Sequence, residues 1–404
     1  MRDSNASPGR FLKDLVASVV VVGLACVGVW FLFGVTNGLP EMNFYYQADI
    51  PRIHDNLVNF KSNYFRMSIH PLFGWVCIAY SMGSNLLDLA DAEAVRLYAM
   101  VVVSLTLLLF MILGRQLGLG TYGAVAVTLL YAASGGVLNW AILPETHLLG
   151  ACSIMAALVL RNLLMRRWPT MTGSNRVIRD GVLLAIAASM VFTNAIVVLF
   201  ASWNARFLRK RAVGSLVRLE WMRFPRHLLV VAVGVLVLQV VQMGSFFIIS
   251  NNTMGRLFNI HGEIAFVVTE QSAGFFDCLL ALGVLAPSLE GNGMVAILCG
   301  LVVFVIVYAM LREARPATVP LLLFAFFGVA LHVFYGRGDS FLYSANYTWA
   351  AMMLVGLFLA GRTGRFFVPV CLLLACGLGY ANAVTYIDSM DQLVEAGHIW
   401  MPFD

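Results

Sequence analysis

The sequence predicts an all-α, polytopic integral membrane protein, and three observations predict it. Of its 404 residues, 60% are hydrophobic and only 12% are charged. Soluble domains carry about 25% charge, so a soluble fold of this composition could not cover its own surface, whereas a lipid-facing exterior is apolar throughout. Apolar runs near the length of a bilayer crossing recur along the chain, and about 20 such residues suffice to cross the hydrocarbon core. Basic residues gather in short segments between these runs, as in Arg206, Arg209, Lys210, Arg211, Arg218, Arg223 and Arg226. The net charge of +5 therefore reads as loops held on the cytoplasmic side by the positive-inside rule. It does not read as a nucleic-acid patch, because every such cluster abuts a spanning run.

Length alone would admit two or three soluble domains, but no polar segment is long enough to form one. Residues 1–404 are expected to make a single transmembrane domain of about 11 helices. Arg2, Arg10 and Lys13 precede an apolar run too long for a signal peptide. That run is read as an uncleaved first span, Leu15–Gly38, with a cytoplasmic N-terminus. Residues 39–95 then form an outer loop in which His70–Leu87 lies along the surface, since Pro71, Gly74 and Gly83 make it a poor spanning helix.

Span 2 is Arg96–Leu113 and span 3 is Thr121–Trp140. The turn Leu143-Pro144-Glu145-Thr146-His147 lies outside, and span 4, Leu148–Leu164, returns. Between Asp180 and Leu208, basic flanks on both sides call for two short helices that turn near Thr193-Asn194. Span 7 is Leu228–Ser250. An outer segment, 251–293, carries a surface piece around Phe275–Leu285. Spans 8 to 11 are Met294–Leu311, Val319–Phe334, Tyr343–Ala360 and Phe366–Val384. This layout places every basic loop inside. The seven cysteines form no CxxC pair and mostly sit in apolar runs, where they act as small hydrophobes.

Charge at a membrane is costly and marks function. Three segments expected on the outer face carry polar residues that this layout brings to one surface. The first has Asp49, Arg52, His54, Asp55, Arg66 and His70. The second has Glu145 and His147. The third has Arg337, Asp339, Tyr343 and Asn346. Simpler readings accompany several of them. Asp49 suits a helix N-cap before Pro51, and His70 could simply open the surface helix. Glu145 could favour the start of span 4 through its charge, and Arg337 could snorkel as an anchor. The pair His261 and Glu263 lacks a third ligand and assigns no metal.

An outer first loop with Tyr46-Gln47-Ala48-Asp49 that ends in His70-Pro71-Leu72-Phe73 resembles the membrane glycosyltransferases of the GT-C fold, of the dolichyl-phosphate-mannose transferase kind. The short outer turn Pro144-Glu145-Thr146 is similar, as are Arg337 and Tyr343 before a late span. The resemblance implies transfer of a sugar from a polyprenyl-phosphate carrier to a glycan or lipid acceptor at the outer face, with inversion. It implies Asp49 as the base on the acceptor hydroxyl, with Glu145 as a second catalytic acid. Arg66 and Arg337 are chosen for the donor phosphate, and Arg52, His70, His147, Tyr343 and Asn346 line the substrates. One departure is that Asp49 is followed by Ile50, so the paired acids of many relatives are missing and a metal-bridged site loses support. No cofactor is implied with certainty, and a divalent metal stays open.

Two other classes compete. A transporter or lipid-linked glycan flippase would show inverted repeats and broken helices, and no repeat stands out. A polysaccharide polymerase would concentrate its polar residues in a late outer loop, whereas here they crowd the first. The short loops and lack of a retention signal point to a bacterial inner membrane, with the membrane lipid and the lipid-linked donor as partners and no nucleic acid.

Overall fold

The computed structural model describes residues 8–36, 38–40, 50–59, 70, 72–141, 143, 146–168, 173–191, 194–198, 200–201, 308, 312, 318–334, 344–395 and 399–402. These residues form helices, the turns between them and one short ribbon. The helices are α1 (Pro8–Thr36), α2 (Ile50–Val58), α3 (Phe73–Leu86), α4 (Asp91–Gln116), α5 (Thr121–Ala132), α6 (Gly135–Leu138), α7 (His147–Arg167) and α8 (Gly173–Ala188). After them come α9 (Val319–Phe334), α10 (Ala345–Thr363) and α11 (Phe367–Glu395). The ribbon pairs β1 (Gly38–Pro40) antiparallel with β2 (Ile399–Pro402), Leu39 opposite Met401.

Four helical segments among the described residues are long and apolar enough to cross a membrane: Leu12–Gly34, Asp91–Gln116, His147–Met165 and Ala345–Gln392. The protein is an integral membrane protein. In α1, Ala17, Val21, Ala25, Val29 and Phe33 are buried at a spacing of four, which puts them on one stripe of the helix, and α1 packs on α4. On its other sides, Val19, Val27, Trp30 and Phe31 are exposed, the surface that lipid covers. Buried hydroxyls in the helices turn back onto their own backbone, as Thr106 does to Val102 O (2.7 Å), Thr128 to Ala124 O (2.7 Å) and Thr348 to Ser344 O (2.8 Å). Each satisfies its hydrogen bond without water.

Small residues set the helix crossings, as they do where van der Waals packing drives association in lipid. A Cβ on Gly356 of α10 would overlap Val127 of α5, and one on Gly123 of α5 would stand 2.7 Å from Phe367 at the start of α11. A Cβ on Gly136 would stand 2.8 Å from Thr348 Oγ1. Ala133, past the end of α5, meets Gly379 and accepts from Asn382 Nδ2 (2.8 Å). Hence α5 and α11 run the same way and α10 runs against both. The 48-residue apolar run therefore folds back at Gly364, whose φ of +54° lies where glycine is at ease.

These contacts sort the helix ends onto two faces. On one face, Asp14 of α1, Arg115 at the end of α4 and Thr121 at the start of α5 meet. On the other, α3, α7 and α10 begin, and β1 pairs with β2. The first face carries Lys13, Arg115, Arg167, Arg362 and Arg365. The second carries Asp88, Asp91, Glu93, Asp388, Asp391 and Glu395.

Several expected spans recur: α7 and α10 match spans 4 and 10 closely, and α9 has the bounds expected of span 9. At 14 residues, α3 is shorter than the roughly 20 residues of a full crossing. The segment expected as two short helices breaks after Ala188 and is helical again at 195–198. Span 3 differs: its helix stops at Ala132, and Ser134-Gly135-Gly136 starts the separate turn α6. Ser134 turns its hydroxyl to Tyr131 O (2.6 Å), and two glycines favour no helix. The ribbon also departs from a purely α reading. Spans 7 and 8 and the 251–293 segment lie outside the described residues, except Tyr308.

Candidate functional site

The start of α7 is the centre of a polar cluster. His147 is its first residue and Thr146 its N-cap; both are buried, with His147 2% exposed. Asn346, in the first turn of α10, places its Nδ2 3.3 Å from His147 Nδ1. With the amide donating, Nδ1 accepts and the ring proton sits on Nε2. Trp140 lies edge-on to His147, ring centres 5.7 Å apart. The same Asn346 accepts at its backbone carbonyl from Trp349 Nε1 (2.7 Å).

His70 comes in from the other side. Its Nδ1 lies 2.6 Å from Met190 O; a carbonyl only accepts, so this nitrogen carries the proton. Nε2 then faces Thr146 Oγ1 at 3.5 Å. Leu72 N donates to Ser189 O (2.8 Å), so the chain that leads into α3 is stitched to the break that follows α8. Beyond that break, Asn194 Nδ2 donates to Gly150 O (3.2 Å). Gly150 is the close-approach point: a Cβ there would overlap Asn346 Oδ1 and stand 3.3 Å from Asn194 Nδ2.

Three of the expected substrate residues thus meet although distant in sequence: His70, His147 and Asn346. Arg52 lies in α2. Asp49, Arg66, Glu145, Arg337 and Tyr343 lie outside the described residues. His54, also in α2, is 4% exposed; burial lowers its pKa, with Asp91 and Asp55 pulling the other way. Sequence reasoning did not single out Thr146, Asn194, Trp140, Gly150 or Asn139 as site residues. Their signal was available in part, since Asn139 and Asn194 are amides in otherwise apolar stretches, where polar groups need a reason. Asn139, just past α6, is fully buried, and neither atom of its amide has a partner; Asn346 Oδ1 has none either. Among the described residues no three His, Cys, Asp or Glu side chains come together as metal ligands would.

No known protein family matches the sequence, and no curated protein matches it. Among solved structures, the chain is similar to the Archaeoglobus fulgidus oligosaccharyltransferase in its complex with zinc and sulfate, with a TM-score of 0.47 and 15% identity. The match covers 95% of this chain and 54% of that one, so the chain spans about half the length of the archaeal protein.

Proposed function

We propose that the protein is a GT-C-type glycosyltransferase that moves a sugar from a polyprenyl-phosphate carrier to a glycan or lipid acceptor at the outer face of the membrane. The observation that carries this reading is the convergence of His70, Thr146, His147 and Asn346 at one end of the bundle. These residues come from the three segments whose polar residues marked them as outer. The orientation follows from charge: the opposite face holds Arg115, Arg167, Arg362 and Arg365 and is the cytoplasmic one.

In the proposed reaction, Asp49 takes the proton of the acceptor hydroxyl, whose oxygen attacks the anomeric carbon from the side opposite the phosphate. The new carbon–oxygen bond forms as the bond to phosphate breaks, and the polyprenyl phosphate leaves with the electron pair. The configuration at the anomeric carbon inverts. Arg66 and Arg337 bind the leaving phosphate, where fixed cations count most. Glu145 assists at the acceptor, while Arg52, His70, His147, Tyr343 and Asn346 hold the sugars. A divalent metal would need the acids of the first and second outer segments as ligands, and no step here is routed through one.

The test is sugar release from a purified polyprenyl-phosphate-sugar donor. Asp49→Asn keeps the size but removes the base. It is expected to insert normally and to lose about two to four orders of magnitude in rate, the weight of general-base catalysis. Near-normal turnover by that variant ends the assignment. The breaks at Ser134 and after Ala188 also suit a transporter. That reading predicts tight donor binding with no sugar released by the wild type.

A further inference from the structure

We infer that Asn139 is a specificity-determining residue that hydrogen-bonds ring hydroxyls of the sugar. This inference rests on the glycosyl-transfer reading and concerns the same outer site. A buried amide carries two donors and an acceptor, and buried polar groups are nearly always paired. Asn139 is 0% exposed, yet neither Nδ2 nor Oδ1 has a partner. A leucine would fill similar space without that cost.

The place of Asn139 ties it to the site. It follows α6, the short turn that interrupts what would otherwise be one spanning helix. Gly136 of that turn is packed against Thr348, in the same first turns of α10 as Asn346. Trp140, next in sequence, touches His147, and His147 meets Asn346. Asn346 Oδ1 is the third unpaired amide atom. The helix break thus brings one unpaired amide to the turn that packs on α10, which carries the other.

The chemistry of those atoms selects the ligand. Two acceptors and one donor group stand unpaired, and all are neutral. A phosphate offers almost only acceptors and leaves Oδ1 of both residues unmet. An ammonium offers only donors and leaves Nδ2 unmet. Adjacent hydroxyls, each a donor and an acceptor, meet both, and a pyranose ring supplies them in fixed spacing.

The experiment compares wild type with Asn139→Leu, both purified full-length in detergent. Sugar release gives KM and kcat for the polyprenyl-phosphate-sugar donor, and thermal unfolding is followed with and without millimolar free hexoses and pentoses. The variant is expected to raise KM roughly five- to tenfold, the weight of one or two hydrogen bonds, with less change in kcat and an unfolding temperature at or above wild type. At least one free sugar should stabilise wild type and not the variant. Wild-type KM in a stabilised variant overturns the inference, and leaves an internal water or a plain buried defect at Asn139. If Leu prevents insertion, Asn139→Ser takes its place in the same assays, with the same two outcomes. Sugar-dependent stabilisation that Asn139→Leu removes, in a wild type that transfers no sugar, keeps the subsite and sinks the transfer reading. Absence of both transfer and stabilisation in wild type overturns both.

Discussion

The two ends of the helix bundle close in opposite ways. At the basic face, charged groups are held tightly. Arg115 Nε lies 3.1 Å from Asp14 Oδ1, its Nη1 donates to Leu119 O at 2.6 Å, and Thr121 donates to Asp14 at 2.6 Å. Below it, Arg179 grips Asp180 through two nitrogens at 3.0 and 2.7 Å, and Arg161 Nη2 reaches Ala201 O at 2.7 Å. At the other face the contacts between neutral side chains are longer, 3.3 Å for His147 with Asn346 and 3.5 Å for His70 with Thr146, although His70 Nδ1 also lies 2.6 Å from Met190 O, and the amide of Asn139 meets nothing. Charge held by short paired contacts fixes helices in register. The unpaired amide of Asn139 and Oδ1 of Asn346 keep hydrogen-bonding capacity for a third party. Burial alone does not separate the two ends, since Asp180 and His147 are each 2% exposed; the kind of group does, with ion pairs in one cluster and neutral amides and imidazoles in the other.

The sharpest way to break this comparison is to cut the buried clamp. Asp180→Ala leaves Arg179 without its carboxylate and should cost about 3–5 kcal/mol, the usual result of removing one partner of a buried pair. Thermal unfolding in detergent measures it, and activity per folded molecule should stay at wild type. The next effect is at the opposite end. Gly150→Ala drives a methyl into Asn346 Oδ1, and displacement of a site residue by about 1 Å can cost roughly a hundredfold in rate. Here turnover should fall far more than stability, which overpacking lowers by about 1–3 kcal/mol. If Gly150→Ala only destabilises, or Asp180→Ala only slows turnover, the division between the two ends is wrong.

A smaller effect concerns pH. Buried His54 has its pKa lowered from 6.5, so below that pH the unfolded chain binds more protons than the folded one. Its contribution to stability is complete above 6.5 and is lost as pH falls through the lowered folded value. His54→Gln should flatten that part of the stability curve, read as the difference between variant and wild type. The smallest effect is expected of Asp14→Asn. Its side chain is 37% exposed, and exposed ion pairs contribute about 0–1 kcal/mol.

Much of the fold was legible because a crossing helix needs a long apolar run with polar ends. The bounds of α9 follow from Pro-rich, basic and polar flanks alone. The cluster at His70, His147 and Asn346 was legible for the same reason, since each stands where an apolar run begins. Two features escaped. The break at Ser134 is hidden because Ser-Gly-Gly barely lowers the apolar character of its run, while it removes helix propensity at three positions. Asn194 was read as a turn residue, and its bond to Gly150 O depends on a helix some forty positions earlier that no local period reveals.

The β1–β2 ribbon has a consequence for biogenesis. Leu39 is paired with Met401, so the two strands of the ribbon are made far apart in time. At about 5–20 residues per second of synthesis, Gly38–Pro40 waits roughly 20–70 seconds for its neighbour. During that interval Gly38–Pro40 is an open edge, the kind of edge that pairs with whatever strand is near. The ribbon is thus a late seam: it closes only after α11 is in place, and it joins the chain leaving α1 to the chain leaving α11 without a covalent bond.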